Sequence, residues 1–128
     1  MQTATVTPIG LVLWSDEARR ELPARANGRR LVVDYFATRC CGSNLAIGDV
    51  SVHWRGEAAS TGDLVAIAAP DGVDAWVHRD LIAVLRAARG RVAMRGFGRW
   101  RHASVELEDG EVWLDFIGRS RPRSPRRH

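Results

Sequence analysis

Arg30-Leu31-Val32-Val33-Asp34-Tyr35-Phe36-Ala37-Thr38 is the stretch that decides the fold. Leu31, Val32, Val33, Tyr35 and Phe36 are branched or aromatic residues that suit a pleated surface, so the segment predicts a strand. Outward from it, Asn27-Gly28 reads as a turn. Upstream of that turn, Ser15 is a helix cap with Asp16 and Glu17 in the first turn, where free N–H groups and the helix dipole favour them. Trp14, Ala18 and Leu22 fall on one face, and Pro23 is expected to end or kink this helix near Leu22.

Downstream, Val50, Val52 and Trp54 alternate with Ser51 and His53, the pattern of a half-buried strand. The polar stretch from Arg55 to Gly62 reads as a loop, and Leu64 to Ala69 as another strand. Pro70-Asp71-Gly72 signals a turn before a strand over Val73 to Val77. Leu81, Val84, Leu85 and Ala88 have helical spacing, with Gly90 at the expected stop. A strand over Val92 to Met94 leads to a bend bearing Gly96 and Gly98. Ala103 to Leu107 and Val112 to Ile117 flank Asp109-Gly110, which predicts a hairpin. Two short helices among strands that do not alternate regularly with them give a β-rich α+β domain with a mixed or antiparallel sheet.

The 128 residues suit one domain, and a 45% hydrophobic share is enough for one core. The domain is expected over residues 1–118, followed by a disordered tail at 119–128 whose only apolar side chains are prolines. That tail carries Arg119, Arg121, Arg123, Arg126 and Arg127; without it 14 basic residues face 15 acidic ones, so the formal charge of +4 belongs to the tail. All 19 basic residues are arginine, a bias that a GC-rich coding sequence explains. No apolar run approaches the roughly 18 residues that span a bilayer. With no basic segment ahead of the first apolar stretch, the expectation is a cytoplasmic protein without a membrane association.

Chemistry concentrates at three places. Cys40-Cys41 lies at the end of the first strand, followed by Gly42. Thiolates are soft ligands suited to a metal ion or an iron–sulfur cluster, and both could reach one ion if the chain turns at Gly42. The structural alternative is cysteine packed as a small hydrophobe. Arg95, Arg99, Trp100 and Arg101, with Phe97 between them, interleave cations with aromatics, as phosphate contact plus base stacking requires; the alternative is a strand with a glycine bend and a solvated arginine face. The tail is a polyanion-binding or merely solubilising segment. His53, His78 and His102 lack the paired spacing of a zinc site and read as surface histidines. No nucleophile-elbow or phosphate-loop motif is present, so no enzyme is expected.

The order of landmarks resembles the HesB-like family of iron–sulfur assembly proteins, the A-type carriers. It is carried by Ser15 to Leu22, Leu31 to Phe36, Arg39-Cys40-Cys41-Gly42 and Val50 to Trp54. Gly62-Asp63-Leu64-Val65, Asp71-Gly72-Val73, Trp76-Val77 and Leu81 to Leu85 continue it, so that it spans residues 15–88. The resemblance implies a HesB-like fold, Cys40 as a cluster or metal ligand and Gly42 as the turn glycine. Cys41 has no counterpart among the family's ligands. The family's C-terminal Cys-x-Cys pair is missing, since no cysteine follows Cys41. A homodimer would gather four thiolates from two Cys40-Cys41 pairs. The expectation is therefore a noncatalytic protein that handles iron–sulfur clusters or metal, or a scaffold for a protein partner. The alternative is a small nucleic-acid-binding module using Arg95 to Arg101 and the tail.

Overall fold

A computed structural model describes residues 9–39, 46–56 and 62–119. The elements run β1 (Leu13–Trp14), α1 (Asp16–Ala26), β2 (Arg30–Arg39), β3 (Ala46–Arg55), β4 (Leu64–Ile67) and β5 (Asp74–His78). A 3-10 turn (Arg79–Leu81) leads into α2 (Ile82–Ala88), then β6 (Gly90–Arg95), a second 3-10 turn (Gly98–Trp100), β7 (His102–Leu107) and α3 (Gly110–Arg119). This is an α+β fold with two mixed sheets, ordered β3-β2-β5-β4 and β1-β6-β7. Among the described residues, no helix is long and apolar enough to cross a membrane.

β2 is the centre, as its composition demands. It pairs antiparallel with β3 from Arg30↔Arg55 to Arg39↔Ala46, and parallel with β5 from Arg30↔Asp74 to Val33↔Val77. Leu31, Val33, Tyr35 and Ala37 point into the core, while Val32 and Asp34, of opposite parity, are buried as well. Burial on both faces is why the run is continuously apolar rather than alternating.

The two sheets share one core. Leu31, Val33 and Val77 of the first join Val92, Met94 and Ala103 of the second, with Ala18 and Leu22 from α1 and Val84 and Leu85 from α2. Ile9 bridges Ile67 beyond β4, and the Trp14 indole N–H donates to the Ala68 carbonyl at 3.1 Å, stitching the chain between the sheets.

Four local expectations are corrected. The Asp109-Gly110 hairpin does not form. β7 pairs with β6, from Gly90↔Leu107 to Arg95↔His102, and the residues after Asp109 make α3, a third helix. Val112, Trp113, Phe116 and Ile117 fit a helical stripe, with Trp113 and Ile117 buried. Asp109 Oδ1 accepts the Glu111 N–H at 3.1 Å, a helix-start contact rather than a hairpin turn. Arg119, expected in the tail, is the last residue of α3 and pairs with Asp115 at 2.7 Å. Residues 120–128 lie outside the described residues.

Gly90 does not stop α2. Arg89 takes the left-handed conformation at φ 56°, its N–H donating to the Leu85 carbonyl. Gly90 is instead buried in β6, where a Cβ would lie 3.1 Å from Leu85 Cδ2, so it serves close packing. Pro23 does not end α1, which runs to Ala26 and closes on Asn27 in the left-handed region at φ 49°. Burial of Ala18, Leu22 and Ala26 along one side outweighs the missing N–H at position 23. Pro23→Ala should restore that hydrogen bond against the added freedom of the unfolded chain. A net gain of about 1 kcal/mol in urea-unfolding stability is expected.

Candidate functional site

The arginine–aromatic segment forms the loop from the end of β6 to the start of β7. Gly96 and Gly98 both take positive φ, 76° and 60°, which turns the chain tightly. The Trp100 N–H donates to the Phe97 carbonyl at 3.1 Å and the Arg101 N–H to the Gly98 carbonyl at 3.2 Å, closing the 3-10 turn. At Gly96 a Cβ would collide with the Trp100 carbonyl oxygen, so only glycine permits this fold-back.

Arg101 is the loop's anchor. Its Nε and Nη2 donate to the two carboxylate oxygens of Glu21 at 3.0 and 2.7 Å, a bidentate pair. Nη2 also donates to Glu17 at 2.6 Å, and Nη1 to the Gly96 carbonyl at 3.0 Å. Glu17 and Glu21 lie one helical turn apart on α1, and Arg25, the next residue of that row, donates to the Arg101 carbonyl at 3.4 Å. One side of α1 therefore grips the loop through both the side chain and the backbone of Arg101.

This clamp shifts protons. The hydrogen bond from Arg101, followed by its charge, holds the Glu21 carboxyl below its usual value, and the Arg101 guanidinium is more firmly protonated in return. A depressed folded pKa contributes stability above the ordinary carboxylate range and loses it as pH falls through the lowered value. The urea midpoint should therefore drop on acidification through that range, and Glu21→Gln should remove part of the drop. Equal pH dependence in both proteins would show that the clamp carries no linkage.

With Arg101 held, the aromatics point outward. Phe97 is 82% exposed and Trp100 69%, and the Arg99 guanidinium lies 5.1 Å from the Trp100 ring centre. Arg95 joins Arg91 on Glu106, whose carboxyl is lowered first by the hydrogen bond from Arg91. The ion pairs here set four arginines (Arg25, Arg91, Arg95, Arg101) on three glutamates (Glu17, Glu21, Glu106), and Arg99 lies over Trp100. Of the four residues named from the sequence, Trp100 and Arg99 are exposed to solvent. Arg95 is exposed and held in an ion pair with Glu106, and Arg101 is a tether to Glu17 and Glu21.

Cys40, Cys41 and Gly42 lie outside the described residues; the paired ends Arg39 and Ala46 flank that segment. Among the described residues, no three His, Cys, Asp or Glu side chains gather as a metal site. His53 is half-buried on β3 opposite Val32, and His102 is exposed. His78 is not a surface histidine: it is buried, with Nδ1 accepting the Asp80 N–H at 3.1 Å and its ring edge-on to Tyr35 at 5.5 Å. Tyr35, whose hydroxyl donates to Asp80 at 3.3 Å, also meets Trp113 and Phe116 edge-on. This aromatic group pins α3 onto β2 and has no adjacent-residue signature in the sequence. Likewise, Glu17 reads in the sequence as helix-start acidity, but Glu21 carries no such signal and its partner Arg101 lies 80 residues away.

No protein-family model matches this chain, and no curated protein matches it.

Proposed function

We propose that the protein is a noncatalytic nucleic-acid-binding module whose working surface is the loop Gly96–Arg101, assisted by the arginines of residues 119–128. The observation that carries this reading is the solvent-facing pair Phe97 and Trp100 on a loop tied down at its base by Arg101. Large aromatics held rigidly in water are otherwise a liability; beside a surplus of arginine they suit a polyanion with flat, stackable bases. The tail supplies charge without shape, and so adds affinity that depends steeply on salt.

Fluorescence anisotropy with a labelled oligonucleotide tests this. Binding at low salt is expected, with log affinity falling linearly against log salt. Ending the chain after Gly118 removes five arginines and should flatten that slope by roughly 3–4. No measurable binding of RNA or DNA at low salt would remove the reading.

A second reading retains iron–sulfur or metal handling. It is supported by the order Cys40-Cys41-Gly42 directly after β2 and by the resemblance to A-type carriers. Protein purified without oxygen should then hold iron and labile sulfide that the Cys40→Ser/Cys41→Ser double variant lacks, with two copies of the chain per cluster. Iron-free protein, or iron unchanged in the double variant, would end that reading.

A further inference from the structure

The geometry points to unpaired bases as the ligand: we infer that Trp100 and Phe97 stack on bases of a single strand, with Arg99 and Arg95 on the flanking phosphates. This rests on the nucleic-acid reading and names the form of nucleic acid.

Three features of the loop select the single strand. First, Trp100 and Phe97 are 69% and 82% exposed, so aromatic surface is free for a flat partner. The Arg99 guanidinium lies over the Trp100 ring, 5.1 Å from its centre, a cation set beside the exposed aromatic surface. In a duplex both faces of every internal base are covered by neighbouring bases, so stacking of this sort is open only to unpaired ones. Second, the protrusion is a short turn, Gly98–Trp100, set between strands. Major-groove reading lays a helix or a two-stranded ribbon along the groove; β6 and β7 form such a ribbon, but Phe97 and Trp100 sit at its tip, in the turn that joins the two strands. Third, the base of the loop is preorganised by the Arg101 contacts to Glu17, Glu21 and the Gly96 carbonyl, which lowers the entropic cost of binding. Arg95 and Arg91 share one carboxylate, Glu106, leaving net positive charge where a backbone would pass. Stacking reads a π-face rather than a base edge, so tolerance of sequence is expected.

The test uses the full chain with four probes: a mixed-sequence single-stranded oligonucleotide, the same sequence as a duplex, inorganic polyphosphate, and vesicles containing anionic lipid. The single strand should bind tightest and quench tryptophan emission, and Trp100→Ala should abolish most of the quench. Trp100→Ala and Phe97→Ala should each weaken single-strand binding roughly tenfold and leave duplex and polyphosphate binding unchanged. Both side chains are mostly exposed, so the thermal midpoint should hold and serve as the folding control. Arg101→Lys, which keeps the charge but loses the bidentate grip, should weaken single-strand binding selectively.

Equal affinity for duplex, polyphosphate and single strand, unaltered by Trp100→Ala, would overturn the inference and leave the nucleic-acid reading standing on its arginines. Absence of binding to every oligonucleotide would overturn both. A blue-shifted Trp100 emission on vesicles, without response to the single strand, would overturn both in favour of a lipid surface.

Discussion

Gly48→Ala is expected to lift α3 off the β2–β3 ribbon and to cost about 3 kcal/mol or more. Gly48 pairs with Ala37, the third pair from the Arg39–Ala46 end of the ribbon. A Cβ there would fall onto the Phe36 carbonyl oxygen and the Ile117 side chain, with the Ala37 Cα at 3.2 Å. Two of these three neighbours are backbone in a paired strand, which cannot yield without breaking the ladder. The third is a buried residue of α3. The Trp113 indole also donates to the Gly48 carbonyl at 3.4 Å, so helix and strand are joined at the same point. The check is a urea melt followed by both far-ultraviolet and near-ultraviolet circular dichroism. A lower midpoint is expected together with loss of the near-ultraviolet signal of the Tyr35, Trp113 and Phe116 cluster. Unchanged stability would mean that α3 does not pack there.

Gly96→Ala is the second large effect, and Gly98→Ala is its control. Both glycines sit in the left-handed region, so either substitution carries a backbone cost of about 1–2 kcal/mol. They differ in their surroundings. A Cβ at 98 meets open space, whereas one at 96 collides with the Trp100 carbonyl. The Gly96 carbonyl also accepts from Arg101, so displacing residue 96 loosens the clamp as well. Gly96→Ala should therefore cost about 3 kcal/mol and change the emission of Trp100, while Gly98→Ala should cost only the conformational part. Equal losses at the two positions would contradict the clamped loop.

The α+β class was legible because its strongest signals are local. The Leu31 to Phe36 run, the alternation over Val50 to Trp54 and the Ser15 cap each depend on neighbours within a few residues. α3 was misread because Val112, Leu114 and Phe116 also alternate, and Asp109-Gly110 is a strong turn signal. What decided between period 2 and period 3.6 was the partner of β7. β6 had already taken that place, through a hairpin that closes at Arg95↔His102 around the Gly96 and Gly98 bend. Pro23 was given too much weight because the burial that holds α1 together is tertiary.

The site was half legible. The interleaving of Arg95, Arg99, Trp100 and Arg101 with Phe97 could be read directly, but not the division of labour within it. Arg101 differs from Arg99 only in what it meets in space: the carboxylates of α1 rather than the Trp100 face. His78 shows the reverse case, an apparently ordinary polar residue at a strand end that the fold buries against Tyr35.

The most direct test of the proposed function follows the side-chain N–H resonances of the five tryptophans by NMR while a single-stranded oligonucleotide is added. Trp14 and Trp113 are buried at 8% exposure each, and Trp100 is the tryptophan of the loop. The expected result is a saturable shift at Trp100, with Trp14 and Trp113 unmoved. A Trp100 signal that stays in place at saturating oligonucleotide would contradict the assignment of this loop as the binding surface.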